Sequence, residues 1–391
     1  MKYKNANGIL PEGLIDMIQD YVQGEYIYIP IREKTNVNES TDYKVELQKR
    51  DSHIYTKHLE GLNNKRIAQL YNLAESSIRR IIINQRKKYD MMREKVDKII
   101  TKWEVKSDVI TQIYNTVWQV GEDYMLKVYE DKSMLERNIK IMSILAGMKV
   151  PVGEIIDTKD NKTFASDGNY YYILCSRLSG NNIVTINDDI NTVSQMGQII
   201  ADLHLAFLKC EEQESFWDNS LLEEMNGWVK QSLENNEWKY IEKESYEMIV
   251  SNLESLYKNL PVQLIHRDVH FGNFLFDKRE FSGYIDFDLS QRNIRIFDLC
   301  YFLLGLLSEK EKFEITENQW FEILKNVFEG YEKKIKLSEE EKKVVPYVME
   351  CIELLFAAYF LNQKDTRLAD SAIQIFNFVK AQEEQIWHCI N

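Results

Sequence analysis

With 391 residues the chain is longer than one ordinary domain, and two or three are expected. A hydrophobic content of 44% with 12% aromatic residues excludes a globally disordered chain. The net charge of −13 conceals an asymmetry: residues 1–102 carry 19 basic against 14 acidic side chains, whereas the remainder carries 30 against 48. An acidic body behind a basic segment suggests two parts with different partners. The N-terminus shows no basic-then-apolar leader pattern, and the longest apolar run is Leu299 to Leu307. That run is far short of the roughly 18 apolar residues of a membrane span. Cys175, Cys210, Cys300, Cys351 and Cys389 are odd in number and widely spaced. This pattern points to reduced thiols in a cytoplasm rather than to disulfides or a metal site.

In chain order, a first helix is predicted over residues 10–29, with Leu14, Ile15, Ile18, Tyr21 and Val22 on one face, Pro11 in its first turn and Gly24 at its end. A polar loop over 33–42 leads to a second helix over 43–59. Ile67, Ala68 and Tyr71 then form the apolar face of a short helix that Asn72 can end in a left-handed conformation. A further helix starting at Glu75 or Ser76 turns Ile78, Ile81 and Ile82 inward and Arg79, Arg80, Arg86, Lys87 and Lys88 outward. Two helices so arranged resemble a helix-turn-helix, whose basic residues would meet DNA phosphates. A helical hairpin with a solvated basic face is the plainer alternative. The opening segment also resembles that of short proteins with a Mor-activator-like helix-turn-helix, over roughly residues 1–88. Met92, Val96 and Ile99 keep a helical period through 86–102, which is expected to be a connecting helix.

After Trp103 the pattern alternates. Strands are predicted at 110–113, 116–120 and 124–129, a helix at 134–145, and another strand at 170–174. Transfer of a phosphoryl group from a nucleotide needs a cation on the α/β-phosphates, and Lys127 stands on the third strand. Its ammonium needs an anion to hold it, and Glu136 or a nearby carboxylate on the next helix is the expected partner. Further on, a short strand-like run, Val262 to Ile265, leads into His266-Arg267-Asp268-Val269-His270-Phe271-Gly272-Asn273. A second short run follows, then Ile285-Asp286-Phe287-Asp288. An acceptor hydroxyl must be aligned and must lose a proton, which suits the Asp268 carboxylate. A phosphate-bridging metal takes hard oxygen ligands, which the Asn273 amide and Asp286 can offer. Gly272 is expected to let the loop turn before Asn273.

This set resembles the aminoglycoside phosphotransferase and choline kinase group of the protein-kinase-like fold, over about residues 105–380. That group reads His-Gly-Asp-Leu-His-x-Gly-Asn where this chain has His266, Asp268, His270, Gly272 and Asn273, with Arg267 in place of the usual glycine. Tyr124-Met125-Leu126-Lys127, Val150-Pro151-Val152, Leu203-His204 and Asp298-Leu299-Cys300 match as well. The resemblance implies an α+β bilobal kinase-like fold, with a β-rich N-lobe over 103–178 and a helical C-lobe over 179–391, preceded by an all-α helix-turn-helix domain over 1–102. It also implies ATP or GTP as donor with Mg²⁺, Cys175 and Ser176 at the hinge where the base docks, and Asp298 bracing the catalytic loop. The turn Ile113-Tyr114-Asn115-Thr116 lacks the glycines of a protein-kinase phosphate loop, so Asn115 and Thr116 are the expected phosphate donors there. His270 is expected to brace the loop. The resulting expectation is a kinase acting on a hydroxyl of an aminoglycoside-like or other small polar substrate, selected by residues around 202–245 and 314–370, whose many acids suit a cationic substrate or are simply a solvated acidic surface. Its rival is a DNA-binding regulator whose kinase-like part senses a ligand without turnover. A pure sensor would have no physical need of all four of Lys127, Asp268, Asn273 and Asp286.

Overall fold

The computed structural model describes residues 54–55, 57–58, 61–71, 73–105, 109–114, 116–183 and 190–391. The helix expected over 10–29 lies outside them, as do most of that over 43–59 and the residues Asn72 and Asn115. Two helices open the described chain, α1 (Asn64–Leu70) and α2 (Glu75–Ile99). Ile67, Ala68, Ile78, Ile81 and Ile82 close a small core with Ile54, and the five basic residues predicted to face outward are exposed. No break separates this pair from the expected connecting helix, because α2 runs on for 25 residues. No Gly or Pro interrupts it, and the i,i+4 pairs Arg93–Asp97 and Glu94–Lys98 support its charged half.

The last turns of α2 belong to a second core. Val96 and Ile99 pack with Trp103 and with Trp118, Leu126, Val128, Tyr172 and Leu174 of a five-stranded antiparallel sheet. Its strands are β1 (Ile110–Tyr114), β2 (Val117–Val120), β3 (Tyr124–Tyr129), β4 (Ala165–Ser166) and β5 (Tyr171–Ser176), in the order β1-β2-β3-β5-β4. Tyr89 stacks on Trp118 with ring centroids 5.4 Å apart, and the Trp103 indole donates to the Ile156 carbonyl at 2.7 Å. Strand alternation follows. Leu126 and Val128 face the α2 side, which leaves Lys127 and Tyr129 on the opposite face of β3. Helix α3 (Lys132–Gly147) comes next, capped by Asp131, whose carboxylate accepts from the Ser133 N–H at 2.7 Å.

The larger lobe is helical: α4 (Ile190–Gln213), α5 (Lys243–Tyr257), α6 (Ile296–Ser308), α7 (Glu317–Glu332), α8 (Glu339–Asn362), α9 (Thr366–Ala381) and α10 (Glu383–Ile390). A broken helical stretch over 221–235 and two small antiparallel sheets complete it, β6 (Val262–Ile265) with β9 (Gln291–Ile294), and β7 (Phe274–Asp277) with β8 (Glu280–Tyr284). Helices α4 and α7 touch at their backbones, since a Cβ on Gly197 would lie 2.0 Å from the Val327 carbonyl oxygen. Helix α8 is long and apolar enough by composition to cross a bilayer, contrary to the estimate from apolar runs, and here it is a buried core helix. A small β-sheet lobe beside a larger helical lobe is the protein-kinase-like arrangement expected. Trp103 is 1% exposed and joins α2 to the sheet. Trp103→Ala should therefore lower unfolding stability by about 3–5 kcal/mol. Urea denaturation followed by circular dichroism checks this, and an unchanged midpoint would mean that α2 is not part of the N-lobe core.

Candidate active site

Strand β6 delivers His266 into a loop whose path is set by a buried carboxylate. Asp298, fully buried in the first turn of α6, accepts from the backbone N–H groups of His266 and Arg267, both at 2.8 Å. His204 Nε2 lies 3.0 Å from the same carboxylate, and His204 Nδ1 lies 2.8 Å from the Tyr331 hydroxyl. Asp298 thus takes the bracing position that the sequence suggested. Arg267 pays for the missing glycine: its φ is +66°, a left-handed value that costs a side-chain-bearing residue roughly 1–2 kcal/mol. Its guanidinium offsets this with an ion pair to Glu224, one nitrogen (Nη2) donating to both carboxylate oxygens at 2.7 and 2.8 Å, both side chains being largely buried.

Past Arg267, Asp268 is held from three sides. The Tyr301 hydroxyl donates to Oδ1 at 2.9 Å, the Asn273 amide donates to Oδ2 at 3.0 Å, and His270 Nε2 lies 3.6 Å from Oδ2. Burial pushes the Asp268 carboxyl up, but His270, His266 and Tyr301 outweigh it and hold the group well below the usual carboxylate range. His270 Nδ1 accepts from the Gly272 N–H at 3.0 Å, which leaves Nε2 to face Asp268, so this ring does brace the loop. The loop does turn over Phe271–Asn273 as expected, without a positive φ at Gly272, and the glycine serves a further purpose. A Cβ there would lie 2.5 Å from His270 Cε1, so the residue makes room for the ring.

Asn273 spends its amide nitrogen on the Asp268 carboxylate and, at 2.9 Å, on the Asp268 carbonyl. Its Oδ1 has no hydrogen bond among the described residues. Its backbone carbonyl accepts from the Ile285 N–H at 3.0 Å, which ties the catalytic loop to the residue preceding Asp286. Asp286 has φ +64°. Its Oδ1 meets Lys127 Nζ at 2.8 Å, and Asp288 Oδ2 meets the same nitrogen at 2.7 Å. Burial works against the Lys127 charge, yet Tyr129, Asp286 and Asp288 raise its pKa above the ordinary lysine value. Asp286 is held below its usual range by Lys127 in spite of burial, whereas burial and the neighbouring Asp286 push Asp288 up.

The expected pairing of Lys127 with Glu136 does not occur. Glu136 is exposed and pairs with Lys132 one turn earlier at 2.8 Å. The α3 residue that reaches the site is Asn138, 3% exposed, which donates to Asp288 Oδ1 at 2.9 Å and to the Tyr129 hydroxyl. The Tyr129 hydroxyl also donates to Asp288 Oδ1 at 2.9 Å. A carboxylate two residues after Asp286 therefore holds the lysine, in place of one on the helix. Asp288 was visible in the sequence as the second acid of Asp286-Phe287-Asp288, but its role was not.

The remaining predicted residues are less close-knit. Cys175 and Ser176 end β5 near the cleft, and burial pushes the Cys175 thiol up to about 12. The Ser176 N–H donates to the Glu154 carbonyl and the Arg177 N–H to the Asp123 carbonyl, so neither donor is free for a base edge. Thr116 is exposed in the β1–β2 turn, and its carbonyl accepts from the Val128 N–H at 2.8 Å. Asn115 lies outside the described residues. Among the described residues no group of three or more His, Cys, Asp or Glu is arranged for a metal. The free Asn273 Oδ1 and the Asp286 carboxylate fit an ion such as Mg²⁺, which keeps most of its ligands as water and phosphate oxygens.

Residues 109–340, more than half of the chain, match the phosphotransferase enzyme family. The chain belongs to that family. It is a phosphotransferase with an alcohol group as acceptor. Among solved structures, it is similar to an amicoumacin kinase in complex with AMP-PNP, Ca²⁺ and Ami, at 16% identity over 79% of this chain and 99% of that one, with a TM-score of 0.58. A microcompartment-associated aminopropanol kinase matches at 14% identity over 74% and 97%, with a TM-score of 0.54. An aminoglycoside phosphotransferase from Alicyclobacillus acidocaldarius matches at 13% over 75% and 94%, with a TM-score of 0.55. At these identities the likeness shows the fold. No curated protein matches the chain. The family match begins beyond the basic face of α2, and DNA binding by residues 1–102 finds no support in any of these similarities.

Because Lys127 is held by Asp288 and not by Glu136, the two acids should behave differently in this phosphotransferase. Asp288→Asn should slow nucleotide turnover by about tenfold or more through a misplaced Lys127, while Glu136→Gln stays within about twofold of the unsubstituted protein. Steady-state assays of both variants check this, and the reverse order would restore the helix carboxylate as the lysine partner.

Proposed function

We propose that this phosphotransferase moves the γ-phosphate of ATP or GTP, with Mg²⁺, onto a hydroxyl of an aminoglycoside-like or other small polar molecule, cationic acceptors being favoured. The observation that carries the reading is the position of Asp268, an ionised carboxylate fixed by Tyr301, Asn273 and His270 in the loop that also carries the free Asn273 Oδ1. In the reaction the acceptor oxygen attacks the γ-phosphorus, the bond to the β,γ-bridging oxygen breaks, and the nucleoside diphosphate leaves. Asp268 accepts a hydrogen bond from the acceptor hydroxyl, aligns its oxygen and takes the proton as the new bond forms. Its low pKa makes it a weak base. That suits a loose transition state, in which the proton departs late and positioning matters most.

Lys127 would exchange its two carboxylate partners for the α/β-phosphates, so that its charge never lacks an anion. Asn273 and Asp286 would hold Mg²⁺, which when bound neutralises charge on the phosphate oxygens. Similar solved structures support the range of donors and acceptors. One is an amicoumacin kinase with AMP-PNP, another an aminopropanol kinase, and a third a GDP complex of an aminoglycoside 2′-phosphotransferase mutant. The buried free thiols Cys210, Cys300 and Cys351 are compatible with a cytoplasmic setting. The rival reading, a DNA-binding regulator that senses a ligand without turnover, has the exposed basic residues of α2 in its favour. It leaves Asp268, Asn273, Asp286 and Lys127 without a task.

A radiolabelled transfer assay across a panel of hydroxyl acceptors tests the proposal. Asp268→Asn should lower the rate of transfer by about 10²–10⁴-fold. Nucleotide affinity, measured in parallel, should change little. Transfer that persists in Asp268→Asn would overturn the assignment.

A further inference from the structure

Beside the catalytic loop lies a cavity of about 260 Å³, bordered by His270 and Tyr301 on one side and by α8 and α9 on the other. Its walls are mostly hydrocarbon, with Phe302, Phe313, Phe356 and Phe360 among them. Tyr301 connects this space to the reaction centre. Its hydroxyl donates to Asp268 Oδ1 at 2.9 Å, and its ring packs against Phe356 with centroids 5.9 Å apart.

One acid in this lining has no evident structural duty. Glu353 of α8 is 3% exposed, lines the cavity and makes no hydrogen bond or ion pair among the described residues. The other acid of the lining, Glu309, is already paired with Lys312 at 2.8 Å. A buried carboxyl without a partner is unfavourable unless a ligand supplies one. Glu353 is close enough to Tyr301 to influence its hydroxyl electrostatically, and the two lining residues Tyr301 and His270 both contact Asp268.

We infer that Glu353 selects the acceptor, by receiving the ammonium group of a compact, largely hydrocarbon amine whose hydroxyl is presented to Asp268. This rests on the kinase reading above and narrows it. Burial keeps the Glu353 carboxyl well above its usual pKa, so an entering ammonium ion would supply the charge that ionises it. Aromatic faces around the cavity suit both the hydrocarbon part of such a ligand and its cationic end. A multi-ring aminoglycoside fits this cavity poorly. The volume lies below the roughly 300–1,000 Å³ usual for drug-sized ligands, and a single free carboxylate cannot satisfy many ammonium and hydroxyl groups.

The test compares phenylalaninol and leucinol with the same alcohols carrying methyl in place of the amine, and with kanamycin, in full-length protein and in Glu353→Gln. The amino alcohols should be phosphorylated with a kcat/KM on the order of 30-fold above their neutral isosteres. Glu353→Gln should abolish that preference chiefly through KM. Nucleotide affinity of each sample reports whether the variant has kept its fold, and the comparison of ligands in the unsubstituted protein needs no variant at all. Equal use of amine and isostere, a preference that survives Glu353→Gln, or a preference for kanamycin overturns the inference. If no acceptor is phosphorylated, calorimetric titration of the same amines into the nucleotide-loaded protein decides. Amine binding that Glu353→Gln removes keeps the site and sinks the kinase reading, and absence of amine binding sinks the site.

Discussion

A single buried carboxylate organises the chemistry of this molecule. Asp298 has no exposure to water and, among the described residues, no lysine or arginine as partner, yet it accepts two consecutive backbone N–H groups, those of His266 and Arg267, and meets His204. Charge-assisted bonds to fixed amides are strong and directional. They turn the chain at Arg267 into a left-handed conformation that its side chain alone would disfavour. Once that turn is made, Asp268 points at Tyr301 and Asn273. Asn273 in turn fixes the approach of Ile285 and Asp286. The geometry of the site therefore begins one layer beneath it, at the fully buried Asp298 in the first turn of α6.

The second constraint joins the lobes. Lys127 comes from β3 of the N-lobe, while Asp286 and Asp288 follow β8 of the C-lobe, so one ammonium closes the cleft between them. Two acids on one lysine leave a net negative charge, which Tyr129 and Asn138 moderate by donating to Asp288. In the proposed reaction such an arrangement would keep the lysine paired until it exchanges onto phosphate. Helix α2 lies on the opposite face of the same sheet, where Tyr89 and Val96 pack, so the N-terminal helices are continuous with the lobe that carries Lys127.

How much of this was legible in the sequence depends on how local each interaction is. Lys127, Asp268, Asn273, Asp286 and Asp298 stand out because the spacing of strand ends and tight loops constrains them. The structure brings the first four into one network, with Asp298 beneath it. Strands β1–β3 and β5 were visible in alternation, and the apolar faces of α1 and α2 in helical period. Partners chosen by packing were not. Tyr301 reaches Asp268 across 33 positions and Glu224 reaches Arg267 across 43, with no local pattern to announce either. The Glu136 expectation failed for the same reason, because an acid on the right helix but on its exposed face pairs with its own neighbour. The glycine at 272 was read as a turn residue, and only the position of the His270 ring reveals why it must be small.

The account stands on the claim that Lys127, Asn273 and Asp286 form one nucleotide and metal site. A crystal structure with a non-hydrolysable triphosphate analogue and Mg²⁺ tests that claim most directly. It should show Lys127 Nζ withdrawn from Asp286 and Asp288 onto the α/β-phosphates, with the metal coordinated by Asn273 Oδ1 and Asp286. A nucleotide bound elsewhere, or one bound in the cleft while Lys127 stays locked on both carboxylates and the metal avoids Asn273, would contradict it.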